Sequence, residues 1–356
     1  MTTTATEDVR LPALDGLRAV AVLGVIASHS GLIGLGWVGV DIFFALSGYL
    51  ITGILLDAKA AAPGARDFFV PFYMRRALRI LPLAWLMVVV MATIRGQWSG
   101  LPWYLGYVVN WLPASPPPRD LGHFWSLAVE EQFYTLWPAL VFFASRRTLW
   151  RVSIGLIVLD AALRLAVSIW PPEFATAQWR DLATFARADS LLAGALLAQR
   201  ERHGGFGIWA RRAWPLCITA ALLLVAVRLA ERSAVAPALL YNLKWPVVAL
   251  GCGAGLLGVL VHRPRLLQWR PLVWLGSISY GVYVYHALFG GWLHSHFTLA
   301  QAPIIFALQL GLTLPLAVAS WYLLESPLLA LKRHWPRQPA AGVRAEATRA
   351  GPRPAP

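Results

Sequence analysis

The sequence predicts an all-α polytopic membrane protein of about ten transmembrane helices with both termini in the cytoplasm, and three observations carry that prediction. Hydrophobic residues make up 58% of the chain and charged residues 13%, more apolar surface than one water-soluble core can bury. Apolar runs of membrane-spanning length, roughly 20 residues each, recur from end to end. The basic residues, which give a net charge of +14, fall between those runs and mostly on one side of them.

In order, the predicted spans lie at 14–33, 37–56, 78–95, 124–144, 149–170, 185–199, 209–230, 239–261, 272–294 and 303–330. The stretch from Leu101 to Leu112 is too short to cross, with Pro102 near its start and Pro113 just after it, and reads as interfacial or re-entrant. A cytoplasmic N-terminus puts the basic clusters of Lys59 to Arg79, Arg146 to Arg151, Arg200 to Arg212 and Arg263 to Arg270 inside. Only Arg95, Arg119, Arg180 and Arg232 then fall outside, the asymmetry that the positive-inside rule expects. Residues 1–335 read as one membrane domain and 336–356, rich in Pro and Ala without apolar period, as a disordered cytoplasmic tail. The leading MTTTATEDVR lacks the n-region and cleavage site of a signal peptide, so the first helix is expected to stay in the mature protein.

The same features exclude other classes. A nucleic-acid partner would need the charges gathered on one solvated face with stacking groups, and here they are orientation signals between helices. Cys217 and Cys252 both sit inside apolar segments, which indicates neither a disulfide framework nor a cysteine metal site, and no metal is expected.

Ionisable residues inside apolar segments are rare enough to be functional candidates. In LRAVAVLGVIASHS, Arg18 and His29 are eleven residues apart, which returns them to within about 20° of one another on a helix and separates them by about 16 Å of rise. They share a face, with Asp15 three residues before Arg18 as its local partner. In GVDIFFALSGYLIT, Ser47, Gly48 and Tyr49 suit either a small-residue packing seam or a ligand channel, whereas Asp41 needs a partner. Arg76 and Arg79, three apart in RRALRILP, form a clamp suited to phosphate, although a topology signal would look the same.

The segment GHFWSLAVEEQFY is the most informative. His123, Glu130, Glu131, Gln132 and Tyr134 cluster where an outer loop enters a helix, and two adjacent carboxylates there are hard to explain as packing. RADSLLAG carries Arg187 and Asp189, which would neutralise each other if paired. SISYGVYVYH carries Tyr280, Tyr283 and His286, and LLESPLL carries Glu325. His294, His296, His203, His262 and His334 look interfacial or loop-borne and receive no role.

These motifs, in this order from residue 14 to about 330, resemble the bacterial membrane acyltransferase 3 family, the sugar O-acetylases. The resemblance implies a ten-helix enzyme of the bacterial cytoplasmic (inner) membrane. It would take an acyl group, acetyl by default, from cytoplasmic acyl-CoA and deliver it to a hydroxyl of an extracytoplasmic sugar or other glycan. His29 would act as base, with Arg18 on its face and Glu130 or Glu131 orienting the imidazole; an acyl-histidine relay is the variant. Arg76, Arg79, Ser47, Gly48 and Tyr49 would serve the acyl-CoA donor. Asp41, His123, Trp125, Ser126, Tyr134, Arg187, Asp189 and His286 would line the acceptor side. Many relatives carry a fused extracytoplasmic hydrolase-like domain, which leads to the expectation of a stand-alone enzyme here. A secondary transporter of a sugar or lipid-linked intermediate is the alternative; it would more commonly show repeated halves with matched Gly/Pro interruptions, and none is found.

Overall fold

The structure is a computed structural model, which describes residues 11–112, 114, 116, 118–170, 173, 176, 181–230 and 237–336. The expected tail beyond Pro336, and Arg180 and Arg232, lie outside the described residues. The described chain folds as helices joined by short turns, and it contains no strand. The major helices are α1 (Pro12–His29), α2 (Val38–Ala61), α3 (Ala65–Arg95), the short α4 (Leu101–Leu105), α5 (Trp125–Phe143) and α6 (Arg146–Ile169). They continue with α7 (Ala188–Glu201), α8 (Ile208–Ala230), α9 (Pro237–His262), the broken series α10 (Arg270–Ser277), α11 (Ser279–Tyr285) and α12 (Gly290–His296), then α13 (Ala302–Ser320) and α14 (Ser326–Ala330).

Six described segments are long and apolar enough to cross a membrane: Val38–Ala61, Ala65–Arg95, Arg146–Ile169, Ile208–Ala230, Asn242–His262 and Leu299–His334. The bent series that starts at Arg270 makes a seventh if taken as one span. This is a multi-pass membrane protein. Their apolar faces explain the many large hydrophobic side chains left exposed on the bundle, such as Leu159, Leu222 and Leu323, which lipid would cover.

Several predicted boundaries are corrected. The third helix begins at Ala65 rather than residue 78 and runs 31 residues, so Arg75 and Arg76 lie inside it with Arg79; the charges of the first two had cut the apolar window short. It stops at Gly96, whose φ of 63° provides the left-handed cap that a residue with a Cβ adopts poorly. The sixth predicted span is a helix of only 14 residues, Ala188–Glu201, shorter than the roughly 20 residues of a full-length apolar span. The ninth is interrupted at Ile278 and bends by 60°. The tenth carries a π turn over Trp321–Glu325 before Ser326–Ala330.

The helices that fall short of the length and hydropathy of a span are informative. Helix α1 carries Asp15, Arg18 and His29, α5 carries Glu130 and Glu131, α7 carries Asp189, and the broken series leads to His286. Charge and irregular backbone at this depth persist only where other helices enclose them. Long apolar helices surround them, and the densest packing is between α2 and α7. A Cβ on Gly48 would lie 1.8 Å from the Leu191 carbonyl oxygen, and one on Gly194 would lie 1.9 Å from that of Ala45, so the two backbones touch directly.

Candidate active site

Two cavities lie within the bundle and share Val40 and Tyr283 in their walls. The first, of about 100 Å³, is nearer the start of α1 and is lined by Arg18, Ser47, Arg76, Arg79, Ser126, Glu130 and Tyr134 among others. The second, of about 230 Å³, is nearer the end of α1 and is lined by His29, Trp37, His123, Trp125, Asp181, Arg187 and Trp245. Arg18 and His29 thus open from one helix onto different chambers.

Helical periodicity explains which side chains arrive at the first cavity. From α2 come Val40, Phe43, Phe44 and Ser47, spaced by three and four residues; from α5 come Ser126, Glu130 and Tyr134, spaced by four. Ser47 donates a hydrogen bond to Glu130. Arg76 stands over the Tyr134 ring with its guanidinium carbon 5.1 Å from the centroid, and Arg18 is paired with Asp15 at 2.6 Å. Three guanidiniums against the single lining carboxylate of Glu130 make this chamber electropositive.

In the second cavity the imidazoles are close together. His29 Nδ1 is 2.9 Å from His286 Nε2, and the His123 ring lies 4.8 Å from that of His286. His123 Nε2 donates to the Val284 carbonyl at 3.2 Å, and His294 Nε2 donates to the His29 carbonyl at 2.8 Å. His294, which the sequence left without a role, therefore anchors the end of α1. Tyr283 Oη is 2.5 Å from Ser126 Oγ, and both hydroxyls lie 3.1 Å from the His123 carbonyl oxygen. These contacts fasten the ring that separates the two chambers.

Arg187 forms the floor of the second cavity. It is 3% exposed, meets Asp41 at 2.9 Å, and has its guanidinium carbon 4.1 Å from the Trp245 ring centroid and 5.0 Å from that of Trp125. Asp41 also accepts from Ser190 at 3.0 Å. Asp189 turns the other way, to Arg164 at 3.0 Å. The possible pairing of Arg187 with Asp189 thus gives way to two separate pairs, Arg187 with Asp41 and Arg164 with Asp189.

Other sequence candidates are also placed apart from the cavities. Gly48 is consumed by the α2–α7 seam, and Tyr49 points to the far side of α2, donating to Glu201 at 2.8 Å. Glu131, one residue and 100° beyond Glu130, lines neither cavity. Neither Glu130 nor Glu131, expected beside His29, bonds to it; the side chain that does is His286. Sequence reasoning missed Arg164 and Asp160, a charged pair four apart in an apolar run, and missed Trp37, Trp245 and Asp181. The first pair carried a readable signal. The other three did not, being an aromatic or loop residue like many others in the chain. Among the described residues no group of three or more His, Cys, Asp or Glu is arranged to hold a metal ion.

A family model described as an acyltransferase domain, acyltransferase 3, matches residues 11–324. The chain belongs to this acyltransferase family. Its relatives include a Bacillus subtilis (strain 168) protein named as a peptidoglycan O-acetyltransferase, YrhL, 32% identical over 78% of this chain and 48% of its own length. The peptidoglycan O-acetyltransferase OatA of Listeria monocytogenes is 30% identical over 78% of this chain and 49% of its own. The O-acetyltransferase OatA of Staphylococcus aureus (strain NCTC 8325) is 27% identical over 89% and 57%. The chain spans about half the length of these curated relatives. No solved structure matches it.

The crossed ion pairs generate a stability prediction. Removing one partner of a buried pair strands the other charge and costs roughly 3–5 kcal/mol, whereas removing both is far milder. Asp41→Ala is expected to lower the thermal unfolding midpoint in detergent, read by size-exclusion after heating, and the double variant Asp41→Ala/Arg187→Met is expected to recover most of the loss. A double variant as unstable as the single one would show that the pair is not what holds Asp41 in place.

Proposed function

We propose that the protein is an integral-membrane O-acyltransferase of the bacterial cytoplasmic membrane that moves an acetyl group from cytoplasmic acetyl-CoA to a hydroxyl of an envelope glycan. In this reading the chain crosses the membrane ten times with both termini in the cytoplasm, counting the short α7 and the broken α10–α12 series as crossings enclosed by the others. Peptidoglycan stands first among the acceptors because it is the glycan in the names of two relatives.

The observation that carries the reading is the pair of chambers sharing Val40 and Tyr283, one lined by three arginines and the other by two imidazoles, His29 and His123, and three tryptophans. Guanidiniums suit the phosphates of coenzyme A, and tryptophan faces suit the apolar faces of sugar rings. The acyl end of the donor reaches past Val40 and Tyr283 toward His29. There the acceptor hydroxyl oxygen attacks the thioester carbonyl carbon as His29 takes the hydroxyl proton. The carbon–sulfur bond then breaks, and the departing thiolate receives that proton from His29, leaving an ester and free coenzyme A. An imidazole suits both transfers because its ordinary pKa lies near neutrality.

Three outcomes follow. Reporter fusions near Arg147 and Arg265 should report cytoplasm and one near Pro172, outside the described residues, the opposite face; reversed signals would contradict the orientation. Arg76→Ala and Arg79→Ala should each raise the Michaelis constant for acetyl-CoA, since a hydrogen bond to a charged group contributes about 1.5–3 kcal/mol. An unchanged donor constant in both would reduce the two arginines to orientation signals. His29→Ala should lower transfer of radiolabelled acetyl from acetyl-CoA to the envelope by about 10²–10⁴-fold in membranes matched for protein level, the usual contribution of a positioned base. A variant retaining most of that transfer would sink the assignment.

A further inference from the structure

We infer that His286 is a positioning residue which fixes the tautomer of His29, so that the Nε2 lone pair of His29 faces the second cavity. This rests on the proposed role of His29 as base. The inference follows from counting donors and acceptors along one chain of contacts. His286 Nδ1 lies 2.5 Å from the Tyr283 carbonyl oxygen. A carbonyl only accepts, so His286 Nδ1 carries the proton. In a neutral imidazole the other nitrogen is then an acceptor, and His286 Nε2 accepts from His29 Nδ1 across 2.9 Å. His29 therefore holds its proton on Nδ1 and presents a bare Nε2. Among the described residues that atom has no hydrogen-bond partner, and the ring lines the 230 Å³ cavity.

The surroundings hold this arrangement in one register. His286 is 0% exposed, and its own carbonyl accepts from Gln309 Nε2 at 2.8 Å. The rings of His29 and His286 are stacked at 4.9 Å with their planes 23° apart, and His294 secures the His29 backbone from the other side. His286 thus does for His29 what a buried carboxylate does in a hydrolase triad: it selects the tautomer and accepts from the imidazolium that forms when the base takes a proton. An imidazole does this without placing a further negative charge in the apolar interior. His286 accordingly leaves the acceptor-binding set proposed from the sequence.

The test is nitrogen-15 NMR of the full chain, labelled at histidine and held in detergent, with the His29 signals assigned by difference against His29→Gln. Above the titration of the ring, wild-type His29 is expected to show a protonated Nδ1 and a pyridine-like Nε2, and the spectrum needs no variant of His286. A wild-type His29 protonated at Nε2 overturns the inference. His286→Ala should allow the opposite tautomer and lower kcat by about 10²-fold while the Michaelis constant for acetyl-CoA stays within about twofold. His286→Gln, whose amide can both donate to the Tyr283 carbonyl and accept from His29, should restore the wild-type tautomer and most of kcat. Should Gln and Ala be equally impaired with both folded, the role is packing and the inference fails. If the Nδ1–H tautomer is found but His29→Ala still transfers acetyl, the proposed function fails and the tautomer assignment stands.

Discussion

Arg187 sits 3% exposed inside an apolar bundle, and a guanidinium in such a place must find an acceptor or forfeit several kcal/mol. Its acceptor, Asp41, comes from α2, while Ser190, one turn further along the same connection, donates to the other oxygen of that carboxylate. The arrangement ties α7 to α2 and explains why the two backbones run in direct contact at Gly48 and Gly194. With α2 held there, an adjoining face presents Val40 to both chambers and Ser47 to Glu130. The guanidinium also fixes the faces of Trp125 and Trp245, which are two of the three indoles lining the second cavity. The neighbouring pair of Arg164 and Asp189 repeats the device between α6 and α7. Electrostatic necessity in a low-dielectric interior therefore shapes the architecture around the site as much as apolar packing does.

A second consequence is a division of labour between helices. Segments such as Arg146–Ile169 and Ile208–Ala230 turn most of their surface outward, where lipid would cover it, whereas α2, for all its apolar length, is largely buried and meets α1, α5 and α7 around the cavities. Val40 and Tyr283 stand in the walls of both cavities, and the Tyr283 hydroxyl is held by Ser126 and the His123 carbonyl. In the proposed reading, this shared wall is where one acyl group would pass from donor to acceptor.

Much of this was legible in the sequence where a local rule governs. Spacing alone put Arg18 and His29 on one face, Arg76 and Arg79 on another, and marked HFWSLAVEEQFY as a site element, because helical periodicity is a property of the chain itself. Apolar run length located the helices but not their ends. The window began at residue 78 because Arg75 and Arg76 depress hydropathy just before it, although their helix continues back to Ala65. Partner choice was the least legible. Nothing local distinguishes Asp41 from Asp189 as the partner of Arg187, or His286 from Glu130 as the partner of His29, since the two pairings that form join residues 146 and 257 positions apart. Gly48 and Tyr49 looked like cavity residues because Ser47 beside them is one; at 100° per residue Gly48 is turned about 100° and Tyr49 about 200° away from it.

The central claim is that donor and acceptor are served from opposite faces of one bundle. Reconstitution into vesicles with a known orientation, followed by supply of labelled acetyl-CoA to one face and soluble peptidoglycan fragments to the other, tests it most directly. Acetylated fragments should form only when acetyl-CoA is on the face that carries the N-terminus and the fragments are on the far face. Product formed equally well with both substrates on the same face would contradict the two-chamber account.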